Sequence, residues 1–267
     1  MSTIAGQELD AVRAARSLSM RSLRNIRRLP SAFVPALVMP MFTMIAFSGT
    51  FFAVTQLPGF PTDKSTNWYM PVGILFGSSF AGIGLGFSTI RDIQTGFYDR
   101  LRMSPTPRRA LLLGSLFTAW MRVAMLNAFV IPVGLLLGAR FTGGLLGLLS
   151  LLAASVGVAT IALGWGLGLA YRFRDMRASA FMQLSIFIGL YLTNAQMPLD
   201  LIRGWLEPIA RINPVTQILN LARQGLLLES SSDYMSWHNT WQGLVAIVVL
   251  SALTLTFARR GLDKLDA

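Results

Sequence analysis

Six long stretches of the chain are almost free of charged residues. Five of them contain no charged residue, and one contains a single arginine, Arg122. The runs are Ser31–Leu57, Met70–Ile90, Ala110–Ala139, Leu145–Tyr171, Ala178–Met197 and Trp241–Ala258. A helix needs about 20 consecutive apolar residues to cross a bilayer, whereas a soluble domain needs amphipathic helices to cover its core. The pattern therefore predicts an all-α membrane protein with six transmembrane helices in a single domain, residues 1–267.

The segments between these runs differ in charge. If the six helices alternate in direction, 17 Lys and Arg residues lie on one side of the membrane and five on the other. Basic residues favour the cytoplasmic side, so we expect a multi-pass protein of the cytoplasmic membrane with both termini in the cytoplasm. This topology accounts for the net charge of +11 without a nucleic-acid partner. Trp68, Tyr69, Trp237 and Trp241 lie at predicted outer boundaries, where an aromatic belt would place them.

The segment before the first run predicts an interfacial helix. Over residues 6–29, apolar side chains cluster on one arc of the helical wheel and most arginines lie beside them. Such a helix binds anionic lipid headgroups at the membrane surface. A signal that only sets the topology is the alternative, and the sequence leaves both open.

The cytoplasmic loop Arg91–Arg109 reads RDIQTGFYDRLRMSPTPRR. It contains a break at Gly96, the aromatic pair Phe97–Tyr98, and a short helical stretch that should end before Pro105. An exposed aromatic pair beside charged residues favours a helix that inserts into a groove of a soluble partner. A solvated connecting loop is the alternative.

The outer segment, residues 198–240, is divided by three prolines. Two short amphipathic helices that dip into the outer leaflet fit its pattern, since backbone inside a bilayer must have its hydrogen bonds satisfied. In this arrangement Arg203, Glu207, Arg211 and Arg223 would point to water. An ordinary folded loop is the alternative.

Glycines recur at four-residue spacing inside the runs. The pairs are Gly73 and Gly77, Gly82 and Gly86, Gly134 and Gly138, and Gly164 and Gly168. Small residues at this spacing let membrane helices approach closely, so we expect these pairs to mark helix packing within one subunit.

The sequence offers little for catalysis. It has no cysteine and one histidine, His238, which lies in a predicted outer loop. We therefore expect no catalytic site and no metal site. None of the acidic residues lies within a run, whereas ion-driven transporters usually carry carboxylates inside the membrane. The energy for any transport should come from another subunit.

Arg122 lies near the middle of the third run, where a charge costs on the order of 3 kcal/mol on insertion scales. Two roles stay open for it. It could face a cavity and meet an acidic group such as a lipid phosphate, or it could pair structurally with other parts of the chain.

With these features, the chain resembles an ABC-2 type permease of the daunorubicin-resistance-type branch found in actinobacteria. The resemblance rests on the six runs, on the stretch DIQTGFYDRLRMSPTPRRALLLG and on the stretch INPVTQILNLARQGLL. It implies a permease without its own ATPase or cofactor, paired with two copies of an ABC ATPase that binds ATP and Mg. It also implies a second permease, either a copy of this chain or a paralogue, and amphipathic cargo, drug or lipid, that moves outward.

The resemblance also implies roles for particular residues. Together with Tyr98, the residues of the ATPase-coupling pattern are Asp92, Gly96, Phe97, Asp99, Arg100, Leu101 and Pro105. Many members have glutamates at the positions of Asp92 and Asp99, so here the acidic character is kept with a shorter reach. The residues of the outer re-entrant motif are Asn213, Pro214, Thr216 and Arg223.

Other functions stay open at this stage. A polysaccharide or glycolipid exporter of the same superfamily would need a channel lined by aromatic residues, and Trp120, Trp165 and Tyr191 are few for that purpose. A membrane-embedded enzyme lacks the residues it would need. A membrane scaffold without transport is the remaining alternative.

Overall fold

The computed structural model describes residues 30–96, 108–227 and 237–265, and within them all regular structure is helical. The helices are α1 (Pro30–Thr50), α2 (Phe52–Thr55), α3 (Ser65–Gln94), α4 (Arg108–Leu136), α5 (Gly144–Phe173), α6 (Ala178–Tyr191), α7 (Leu206–Ile212), α8 (Pro214–Arg223) and α9 (Trp237–Leu265). The predicted interfacial helix over residues 6–29 lies outside the described residues.

Among the described residues, four helices are long and apolar enough to cross a membrane. They are α3, the Leu111–Leu136 part of α4, α5 and the Trp237–Lys264 part of α9. Each contains one of the predicted uncharged runs or most of it. Helix α1 has 21 residues and coincides with most of the first run. The all-helical fold is therefore confirmed for the described residues, and four of the predicted spans are helices that could cross a membrane by their length and composition.

The fifth predicted span differs from the structure. Helix α6 has 14 residues and ends at Tyr191, not at Met197. At 1.5 Å per residue it is about 21 Å long, which is shorter than the roughly 30 Å of a bilayer core. The rest of the run forms turns and bends, and the carbonyls of Leu192, Asn194, Ala195 and Gln196 accept hydrogen bonds from side chains rather than from a further helical turn.

The long helices share two ends. At one end, here called the basic end, α3, α5 and α9 finish and α4 and α6 begin. Seven described basic residues there are exposed: Arg91, Arg172, Arg174, Arg177, Arg259, Arg260 and Lys264. At the other end, the distal end, α1 finishes beside the start of α3, where the hydroxyl oxygens of Ser48 and Ser65 are 2.8 Å apart.

Helix α3 lies at the centre of the fold. Of its most apolar 18 residues 83% are buried, against 17% for α9, which lies at the outside. Close packing of α3 depends on glycine: a Cβ at Gly86 would lie 2.8 Å from the carbonyl carbon of Gly166 in α5. Gly82 packs equally closely on the backbone of α5, and Gly73 and Gly77 pack on α1.

The predicted glycine contacts extend to other helices. Gly164 and Gly168 allow α5 to lie against α9, and Gly134 accommodates the side chain of Met70. These contacts confirm that the glycine pairs serve helix packing within the chain. Gly138 is the exception, since a Cβ there would meet nothing within 4 Å.

Candidate functional site

The end of α6 is the first feature of the distal site. Beyond Tyr191 the chain leaves the helix, so the last carbonyl groups of α6 have no helical partners. The side-chain amide of Asn213 donates to two of them, at 3.0 Å to the oxygen of Gly189 and 3.0 Å to that of Leu192. The Thr193 hydroxyl donates to a third, the oxygen of Leu190, at 2.6 Å.

Helix α3 supplies the next donors. The indole nitrogen of Trp68 donates to the carbonyl oxygen of Ala195 at 3.2 Å, and the Tyr69 hydroxyl donates to that of Gln196 at 2.9 Å. Both side chains are fully buried. Their predicted place in an exposed aromatic belt is therefore wrong, because the non-helical backbone after α6 requires donors from inside the fold. Trp237 and Trp241 are exposed, as a belt requires.

Arg223, the last residue of α8, lies at the centre of this site. Its Nε donates to the oxygen of Trp68 at 3.2 Å, and its two terminal nitrogens donate to the oxygens of Asn194 at 2.9 Å and Ala195 at 2.7 Å. The guanidinium carbon also lies 3.6 Å from the centre of the Trp68 ring, a cation–π arrangement. Arginine suits this place because its planar group carries several donors in a fixed geometry.

The prediction that Arg223 points to water is therefore wrong. Its exposed fraction is 0%, because its donors bind one carbonyl of α3 and two carbonyls of the non-helical segment after α6. The other members of the predicted set behave differently. Arg203 and Arg211 are exposed, and Arg211 pairs with Glu207 at 3.2 Å. We call Trp68, Tyr69, Asn213, Arg223 and the segment 192–197 the distal cluster.

The motif residues at the start of α8 support the same site. Asn213 is the N-cap of α8 and accepts from the backbone nitrogen of Val215 at 2.9 Å, while Pro214 occupies the first turn. Proline fits there because the backbone N–H groups of a first turn have no helical acceptor, so the N–H that proline lacks is not needed. Thr216 is fully buried. Asn213 and Arg223, at opposite ends of α8, thus both bind carbonyls of the segment 192–197.

Asn67 joins the distal cluster to two connecting segments. Its amide nitrogen donates to the carbonyl oxygen of Leu226 at 2.9 Å, and its side-chain oxygen accepts from the backbone nitrogen of Arg140 at 2.9 Å. Since a carbonyl only accepts and a backbone N–H only donates, these partners fix the orientation of the amide. Sequence reasoning did not single out Asn67.

At the basic end, the structure describes two of the predicted coupling residues. Asp92 lies in the last turn of α3, partly buried, and Gly96 follows the helix with φ +66°. This left-handed conformation favours glycine. The remaining coupling residues, Phe97, Tyr98, Asp99, Arg100, Leu101 and Pro105, lie outside the described residues.

Arg122 lies in the middle of α4 and is partly buried. Its guanidinium reaches towards α3, since a Cβ at Gly84 would lie 3.5 Å from one of its terminal nitrogens. Other polar contacts join α4 to α5 at similar depth. The Trp120 indole donates to the Thr160 hydroxyl at 3.0 Å, and the Asn127 amide donates to the Ser155 hydroxyl at 2.8 Å.

An aromatic group connects α3 and α6. Phe76 and Phe80 of α3 meet Phe187 and Tyr191 of α6, with ring centres between 5.3 and 6.1 Å apart. Tyr191 is 41% exposed, so part of the group faces outward. Within each helix the two aromatic residues are four positions apart, a spacing that places them on the same helix face. Sequence reasoning had considered only Tyr191. Trp165 instead stacks on Phe257 between α5 and α9.

Within the described ranges, no three His, Cys, Asp or Glu side chains are grouped so that they could hold a metal ion. The chemistry of the distal cluster is that of neutral carbonyls and one buried cation. It can hold non-helical backbone in place.

Comparison with known proteins places these features in context. The family model described as "ABC-2 type transporter" matches residues 13–227. The chain is 23% identical to "Daunorubicin resistance ABC transporter permease protein DrrB1" of Streptomyces coeruleorubidus, over 93% of this chain and 84% of that protein. It is similar to "Putative transport permease ycf38" of Pyropia yezoensis, at 23% identity over 90% of this chain and 84% of the relative. The protein of the same name from Cyanophora paradoxa is 24% identical, over 87% and 83% respectively.

Proposed function

This chain belongs to the ABC-2 type transporter family, and from that premise we propose that it is the permease subunit of an ATP-driven exporter. It moves amphipathic cargo, drug or lipid, outward across the cytoplasmic membrane. The observation that carries this proposal is the extent of the family match, which includes the loop Arg91–Arg109 and α8 with its motif. The Streptomyces relative is named as a daunorubicin resistance permease, which supports drug-like cargo.

The proposed energy source is a separate ABC ATPase, present in two copies, which binds ATP and Mg. In the described part of the membrane-crossing helices, the acidic residues are Asp92 and Asp263, both in the last turns at the basic end. Ion-coupled transporters usually place carboxylates near the membrane midplane, so this distribution favours ATP as the driving force. A second permease, a copy of this chain or a paralogue, completes the proposed transporter.

The proposed orientation places the basic end and both termini in the cytoplasm and the distal end outside. The exposed arginines at the basic end support it. Membrane lipids are the proposed neighbours of α9, whose exposed apolar residues form a continuous face: Leu244, Val245, Val248, Val249 and Leu253. A soluble monomer rarely exposes such a face.

Arg122 is the proposed contact for an acidic group of the cargo. Its partial burial and its position beside Gly84 support this role, because the glycine leaves room next to a cation at mid-helix. A phospholipid phosphate or the acidic group of a drug would supply the matching charge.

A second candidate function is export of a polysaccharide or glycolipid. The aromatic group Phe76, Phe80, Phe187 and Tyr191 favours it, since sugar rings and aromatic faces pack well. The same surface also suits a planar drug. Uptake assays with inside-out vesicles would separate the two candidates: daunorubicin or a fluorescent phospholipid should accumulate in an ATP-dependent manner if the first is correct.

Co-purification tests the ATPase partnership. The tagged wild-type chain should bring down an ABC ATPase, and the double variant Phe97→Asp with Arg100→Glu should release it. The matched control is Phe173→Asp with Arg174→Glu, which makes the same changes in an aromatic residue and an arginine that are exposed at the basic end. Retention of the ATPase by both double variants would contradict the coupling assignment.

A further inference from the structure

We propose that Arg223 joins α7 and α8 to α3, so that these helices move as one body when the transporter switches states. The inference rests on the proposed function, because it concerns how a movement at the ATPase side reaches the outer side. It assigns Arg223 the role of a positioning residue.

Helix α3 is suited to carry such a movement. It is one continuous helix of 30 residues, with Pro71 near its distal end, and is therefore about 45 Å long, enough to connect both ends of the fold. Its last turn contains Asp92, and Gly96 follows the helix with φ +66°. A displacement of the loop that follows α3 at the basic end would therefore act directly on one end of this helix.

At the distal end, the contacts of Arg223 reach backbone rather than side chains. One donor binds the carbonyl of Trp68 in α3, and the other two bind those of Asn194 and Ala195. Backbone carbonyls cannot rotate away as side chains do, and the guanidinium is planar. Relative movement of α8 and α3 would break the bond from Arg223 to Trp68. It would also break either the bonds from Arg223 to residues 194 and 195 or those that Trp68 and Tyr69 donate to residues 195 and 196, in a place that water does not reach.

Two further contacts close this unit. The Trp68 indole donates to the same Ala195 oxygen that receives a bond from Arg223. Asn213, between α7 and α8, donates to the carbonyls of Gly189 and Leu192 at the end of α6. The short helices are thus held at both ends of α8. Helix α7 extends outward from this unit, and its last residue, Ile212, is 83% exposed.

Distance measurement between spin labels tests the inference. Because the chain has no cysteine, Asp63→Cys and Ile212→Cys place two labels without background. Asp63 is exposed just before α3, and Ile212 ends α7. The complex with its ATPase, in nanodiscs and with labelled chains diluted by unlabelled ones, is measured without nucleotide and after trapping with ATP and vanadate.

For the wild-type chain we expect a single narrow distribution of distances between the two labels. Trapping should shift the mean distance by less than the width of this distribution. With Arg223→Met the distribution should broaden in both states and shift on trapping, while ATP hydrolysis stays near the wild-type rate. A residue that only stabilised the fold would lose the ATPase and its hydrolysis together. Arg203→Met, at an exposed arginine of the same segment, is the control and should match the wild type.

A wild-type distance that shifts on trapping would overturn the inference, and so would an Arg223→Met distribution identical to the wild type. If Arg223→Met does not assemble, Arg223→Lys replaces it, since lysine keeps the charge and loses the planar group. If no ATPase accompanies the wild-type chain, the proposed function fails instead. In that case the distance distributions of the wild type and Arg223→Met without nucleotide still decide whether Arg223 holds α7 and α8 on α3.

Discussion

Asn67→Asp replaces the NH2 of the side-chain amide by an oxygen atom and should destabilise the fold strongly. In the wild type, the amide nitrogen donates to the carbonyl oxygen of Leu226 at 2.9 Å. In the variant two oxygens would face each other at this distance, while the bond from the backbone nitrogen of Arg140 could remain. The change therefore isolates one donor in a fully buried side chain.

The magnitude follows from two terms. Loss of a typical hydrogen bond costs about 1 kcal/mol, and the buried carbonyl that loses its donor adds roughly 1–3 kcal/mol. A buried charge without a compensating partner adds further destabilisation, so we expect about 3–5 kcal/mol at neutral pH. At about 2–4 °C per kcal/mol, the melting temperature should fall by on the order of 10 °C.

Thermal unfolding of the purified chain in nanodiscs, followed by tryptophan fluorescence, measures this fall. Asn220→Asp is the matched control, because the side-chain oxygen of Asn220 accepts from the amide of Asn194 at 2.9 Å and a carboxylate can still accept. Asn220 is also partly exposed, so its variant should melt within a few degrees of the wild type. Equal melting temperatures for the two variants would refute the role assigned to the Asn67 donor.

Three further predictions address other parts of the fold. Gly86→Ala should lower the melting temperature, because the added methyl group would meet the backbone of α5, whereas Gly189→Ala, with nothing within 4 Å of its Cβ, should be neutral or stabilising by up to ~1 kcal/mol. Tyr69→Phe removes a single hydrogen bond, to the oxygen of Gln196, and should cost about 0.5–1.5 kcal/mol in the same assay. Arg122→Ala, at normal expression, should reduce ATP-dependent uptake of an acidic amphipathic probe more than Arg122→Lys does; unchanged uptake in vesicles would exclude the cargo-contact role.

The uncharged runs were sufficient to predict the long helices because membrane-crossing helices must satisfy their backbone internally and present apolar side chains. The same reasoning extended the fifth run to Met197, six residues beyond the observed end of α6. Residues 192–197 are uncharged, and composition alone cannot distinguish a helix from a segment whose carbonyls are bound by distant side chains. The donors come from α3 and α8, and only the fold brings them there.

The burial of Arg223 was missed for a related reason. A charged residue in a short amphipathic helix usually marks the solvated face, and three neighbouring charged residues, Arg203, Glu207 and Arg211, are indeed exposed or partly exposed. Spacing within α8 nevertheless contained a signal. Arg223 follows Leu219 by four positions, and Leu219 is fully buried, so the two side chains share a helix face.

An arginine on the apolar face of a helix needs acceptors that the helix itself cannot supply. In this chain acidic residues are scarce, at 12 Asp and Glu together, so backbone carbonyls are the most numerous alternative. Carbonyls become available where a helix ends early, as α6 does at Tyr191. The buried arginine and the shortened span are therefore two consequences of one arrangement: the fold can leave six residues of an apolar run outside a helix because Arg223, Trp68 and Asn213 supply the donors that water would otherwise provide.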